Sequence, residues 1–163
     1  MIKRLFVDNY KCFVNFDTYF GSQTLIVGEN GVGKTTLFEV LDALRRFMTG
    51  IEYVSDIFPE SSLTRWQQAY VQTFEVDVQE QADTFRYHLE AEHEKGTGKC
   101  RVISEWLTEN DNLLFRFENS KAYLYRDNYT VGPEYPASWS RSGLGSVAES
   151  ADNTKLTRFR ERM

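Results

Sequence analysis

Eight consecutive residues carry the clearest chemistry in this chain. Gly28-Glu29-Asn30-Gly31-Val32-Gly33-Lys34-Thr35 fits GxxxxGK[ST] at every position. Glycines permit backbone angles and close approaches that a Cβ forbids. Successive N–H groups can then turn inward as an anion nest. A helix that opens directly after such a loop adds its free N-terminal amides and positive dipole end. In that arrangement Lys34 reaches the β- and γ-phosphates of a nucleoside triphosphate, and the Thr35 hydroxyl ligates Mg²⁺. The expected ligands are ATP and Mg²⁺, held by residues 28–35, with Thr35 as the metal ligand.

Such a loop must follow a buried strand and open a helix. Thr24–Val27 reads as the short buried strand. Residues 35–48 read as the helix, because Leu37, Val40, Leu41, Leu44, Phe47 and Met48 recur at spacings of three and four. Asp42 can pair with Arg45 or Arg46, and the two arginines suit the negative end of the helix dipole. Gly50 is a plausible stop. Upstream, Ile2–Val7 and Phe13–Phe20 read as strands. From Tyr70 the apolar period changes from helical to two. Val71, Thr73–Val78, Phe85–Ala91, Lys99–Leu107, Leu113–Phe117 and Ala122–Tyr125 alternate like antiparallel strands. Gly96-Thr97-Gly98 and Glu109–Asn112 read as hairpin turns. Between these regions a short helix is expected around Leu63–Ala69. Residues 126–154 read as loop, and Lys155–Met163 as the start of a helix. The expected division of this single domain is 1–50 for strands, loop and first helix, 51–127 for a β-rich subdomain, and 128–163 for loop and helix start.

Composition sets bounds. The chain is 41% hydrophobic and 15% aromatic, enough to fill a core. Its net charge of −5 writes no general grip on nucleic acid into the sequence. Cys12 and Cys100 stand far apart and read as two reduced thiols. No apolar leader and no run of membrane-spanning length is present, so a soluble, cytoplasmic protein is expected.

The order of elements resembles the N-terminal lobe of ABC-type ATPases of the SMC/RecF/OLD group, often called AAA-family ATPases. Asn9-Tyr10-Lys11-Cys12-Phe13 is similar to their NF-K/R-S-F segment, with Tyr for Phe and Cys for Ser. The form GENGVGKTTL also looks like this group. The likeness covers residues 1–50 well and 70–127 in outline. It implies an α/β P-loop NTPase fold, with an antiparallel β-subdomain, that is incomplete here. It also implies ATP hydrolysis between two heads of a homodimer or of a paired ATPase, coupled to DNA or a partner protein. By the same likeness, Asn30 and Thr36 lie close to phosphates, with an ordinary first-turn residue as the alternative for Thr36. Lys11 lies near the phosphates or base, or is a solvated strand-end lysine. A Mg²⁺-sensing glutamine is implied among Gln67, Gln68 and Gln72.

Other parts of such a site are not legible. No four apolar residues precede Asp-Glu. Ser140–Ser146 is a poor match to a signature motif and reads as a flexible loop. Glu29, Glu39, Asp77 and Glu105 are the first carboxylates to test if the chain turns ATP over. His88 lies on one strand face with Glu90, Glu92 and Glu94, which reads as a solvated acidic edge, while His93 points the other way with Leu89 and Ala91. A non-hydrolysing, nucleotide-dependent assembly module is the alternative function, and a small-molecule kinase a third.

Overall fold

The computed structural model describes all residues, 1–163. Eight strands form one antiparallel sheet: β1 (Ile2–Asp8), β2 (Phe16–Tyr19), β3 (Val71–Glu80), β4 (Asp83–Glu94), β5 (Lys99–Glu109), β6 (Asn112–Glu118), β7 (Lys121–Tyr125) and β8 (Val131–Pro136). Their order across the sheet is β2-β1-β3-β4-β5-β6-β7-β8. From β3 onward each strand pairs with the next in sequence, so short turns suffice. Asn110 and Asp111 both take positive φ, at 49° and 65°. That pair suits a two-residue turn matching the twist of its flanking strands.

Helix α1 (Lys34–Met48) follows the glycine-rich loop and buries Leu37, Val40, Ala43, Leu44, Phe47 and Met48. Asp42 pairs with Arg45 at 2.9 Å, while Arg46 turns to Glu52. Phe47 meets Phe58 edge-on, and Phe58 lies 4.7 Å from the Phe74 ring of β3. This aromatic column joins the helix to the sheet. A short α2 (Val54–Ile57) and a 3₁₀ turn at Glu60–Ser62 cross from α1 to β3. The helix expected around Leu63–Ala69 does not form; Thr64 instead donates its N–H to the Asn9 side chain. Helix α3 (Thr154–Arg162) buries Leu156 and Phe159, the latter against Phe85 and Tyr87. Asp127 accepts from the Thr154 and Lys155 amides and so caps that helix. No helix is long and apolar enough to cross a membrane.

Three further expectations are corrected. Thr24–Val27 is not a strand and is not buried: Leu25 is 86% and Val27 77% exposed. A strand needs a neighbour, and residues 24–27 pair with none of the eight strands. Within residues 126–154, Val131–Pro136 forms β8. Pro133 and Pro136 are tolerated because β8 is an edge strand. The acidic edge around His88 is an interior strand instead. β4 runs between β3 and β5, and His88 stacks on Trp106 with ring centroids 4.7 Å apart. His93 does share its buried face with Leu89 and Ala91.

Candidate phosphate-binding site

Gly31 and Gly33 adopt φ of 89° and 98°, which side-chain-bearing residues rarely take. They bend residues 28–33 into an exposed loop that enters α1. Gly33 caps the helix without a side-chain hydrogen bond. The first helical amide to find a partner is that of Leu37, which donates to the Gly33 carbonyl at 3.0 Å. The amides of Lys34, Thr35 and Thr36 are therefore left for a ligand. Together with the positive end of α1, they can receive a di- or triphosphate.

The Lys34 ammonium sits across this loop. It donates to the carbonyls of Gly28 and Glu29, at 2.5 and 2.6 Å. An ammonium has three donors, so one N–H remains free. An open hollow of about 380 Å³ adjoins Lys34 and Thr35 and is walled by Thr24, Ile26 and Phe38. Glu29, Asn30 and Val32 are exposed on the loop, and Thr36 is half-buried beside it.

Lys11 lies in the same neighbourhood but is engaged. Its ammonium pairs with Glu39 on α1 at 2.7 Å, and that hydrogen bond raises its pKa. The next two residues pack on the loop itself. A methyl group on Gly33 would stand 2.9 Å from Cys12 Sγ and 3.1 Å from the Phe13 ring. The Asn9–Phe13 segment is thus the floor against which the loop turns.

The carboxylates singled out by sequence do not converge. Asp77 is held by Arg86 at 2.8 and 2.9 Å, Glu39 by Lys11, and Glu29 stays on the loop. Glu105 is fully buried, which raises its pKa. It accepts from Tyr87 Oη and Ser142 Oγ and from the Gly143 and Leu144 amides. Both its oxygens are used, so it binds the 142–144 segment and cannot approach water. Ser140–Ser146 is therefore a pinned loop, not a flexible one. Gln72, one of the three candidate glutamines, is fully buried in β3, with its carboxamide committed to Asn9, Ser62 and His93.

Comparison with known proteins decides the family. The chain matches the AAA ATPase domain along residues 1–135. It belongs to that family. A 42-residue stretch is 48% identical to the OLD nuclease of Thermus scotoductus, and covers 26% of this chain and 8% of that protein. Both findings agree with the SMC/RecF/OLD-like resemblance. Within this AAA ATPase domain, sequence reasoning missed the Lys11–Glu39 pair and the packing of Cys12 on Gly33. Lys11 and Glu39 stand 28 positions apart, and no local pattern joins them.

Proposed function

We propose that this AAA ATPase domain binds Mg·ATP on a Walker A loop, with Gly28–Thr36 around the phosphates and Thr35 on the metal. One observation carries the reading: Lys34 spans the loop on two backbone carbonyls and keeps a third donor free, beside the unpartnered amides that open α1. Charge-assisted contacts of this kind are worth about 1.5–3 kcal/mol each. The chain is read as a single P-loop NTPase domain that hydrolyses ATP when a second head and further catalytic parts complete it. DNA or a protein partner would then receive the work.

Little turnover is expected from residues 1–163 alone. Phosphoryl transfer depends on positioning and on charge stabilisation, with a water oriented for in-line attack. The buried or paired states of Asp77 and Glu105 leave neither free to orient that water. Phosphate release should equal that of Lys34→Ala, the blank for contaminants. A Lys34-dependent turnover near ~1 s⁻¹ would refute this.

ATP should bind in preference to GTP, since the chain belongs to an ATPase family and holds no NKxD-type guanine reader. Competition that favours GTP by about tenfold or more would count against it.

A further inference from the structure

Lys11 is a long-chain residue held in the left-handed region, φ 52°, and Asn9 two positions earlier is held at 60°. Such conformations are uncommon for side-chain-bearing residues, more so for Lys than for Asn, and persist where surroundings over-determine them. The turn that follows Asn9 and contains Lys11 is closed by reciprocal bonds of Tyr10 and Phe13, at 3.1 and 2.8 Å. What holds it from outside is a set of buried polar contacts centred on Gln72. The Gln72 amide donates to the Asn9 carbonyl at 2.9 Å and to Ser62 Oγ at 3.1 Å. Because its nitrogen faces a carbonyl, its Oε1 is the acceptor toward His93 Nε2, at 2.9 Å. Ser62 in turn takes the Lys11 amide on its carbonyl at 2.6 Å. The Asn9 side chain completes the frame by donating to Ala69 and Val71 and accepting from Thr64.

We propose that Gln72 is a positioning residue for the phosphate loop: it locks the Asn9–Phe13 turn in the shape that seats Cys12 and Phe13 against Gly33. The part concerning nucleotide rests on the function proposed above. Removing the carboxamide leaves the buried Asn9 carbonyl without a donor, and strips one partner each from the Ser62 hydroxyl, which keeps its bond to the Pro59 carbonyl, and from His93 Nε2, which keeps only a 3.7 Å contact with Cys100 Sγ. The turn then relaxes, and Gly33 loses the wall that fixes its φ. This role leaves Gln72 no free polar atom for sensing Mg²⁺.

Cys12 reports on the turn directly. It is exposed, whereas Cys100 is buried and its thiol is pushed up to about 12 by burial. Ellman's reagent should therefore label Cys12 alone, with Cys12→Ala as the blank. In Gln72→Leu the labelling should be at least about fivefold faster, and Mg·ATP affinity about tenfold weaker. Ser62→Ala, which removes one of the Gln72 contacts together with the Ser62 bond to the Pro59 carbonyl, should move both quantities in the same direction by less, and serves if Gln72→Leu does not fold. Unchanged Cys12 labelling in a folded variant overturns the proposal. So does faster labelling with unchanged Mg·ATP affinity. If the unmodified protein itself binds no Mg·ATP, the nucleotide reading fails, and the labelling rates alone still decide whether Gln72 holds the turn.

Discussion

Lys34 closes its own loop and keeps one donor for the ligand proposed above. Its bonds to Gly28 and Glu29 close the loop on itself, and the remaining donor faces outward. Elsewhere one carboxylate committed within the fold sets a pH dependence. Glu75 lies between His88 and Arg4, and their hydrogen bonds, that of His88 foremost, lower its pKa from 4.5 to about 2. A depressed carboxylate pKa contributes stability that is present above the unfolded value and lost as pH falls through the folded one. Denaturant midpoints should therefore fall between pH 4.5 and about 2, and Glu75→Gln should flatten that part of the profile. A Glu75→Gln profile parallel to that of the unmodified protein would show that the carboxylate is not coupled to folding. The glycine and lysine positions of the loop are legible in sequence because a phosphate cradle needs them at fixed spacing. The Glu105 clasp is not legible: its partners lie up to 39 positions away, and the sequence offers Glu105 only as a carboxylate to test for turnover.

Elements whose order is set by short-range pattern are the ones the sequence predicts well. The helical spacing from Leu37 to Met48 yields α1, and the period-two runs yield β3 to β7. Thr24–Val27 is the instructive failure. Four apolar or β-branched residues describe a strand only if a neighbour supplies its hydrogen bonds, and pattern cannot count neighbours. Another contact invisible to pattern fixes the far end of α1. Gly50, at φ 72°, meets Gly145 backbone to backbone; a methyl group on Gly145 would stand 2.3 Å from the Gly50 nitrogen. Through Ser142–Leu144 and Glu105, this ties the end of the helix to β5. Gly145→Ala should destabilise the protein by about 1–3 kcal/mol, read as a lower urea midpoint with unchanged slope. A change within ~0.5 kcal/mol would mean that the loop moves aside freely.

At the scale of the whole molecule, an antiparallel sheet is joined to α1 and its glycine-rich loop through the Asn9–Phe13 turn at one end and the Gly50–Gly145 contact at the other. Exposed Leu25, Val27 and Phe38 lie around the loop, while the sheet and its two longer helices enclose a single core of 31 buried residues. The loop is thus held by a frame that does not need Lys34 for its own stability, since the lysine touches only two loop carbonyls. That separation makes the central claim testable in one measurement, a calorimetric titration of residues 1–163 with Mg·ATP beside the same titration of Lys34→Ala. The account predicts saturable binding for the unmodified protein and a loss of at least about tenfold in affinity for the variant, with the thermal midpoints of the two unliganded proteins close together. Equal affinity in the two proteins, or no binding in either, would contradict it.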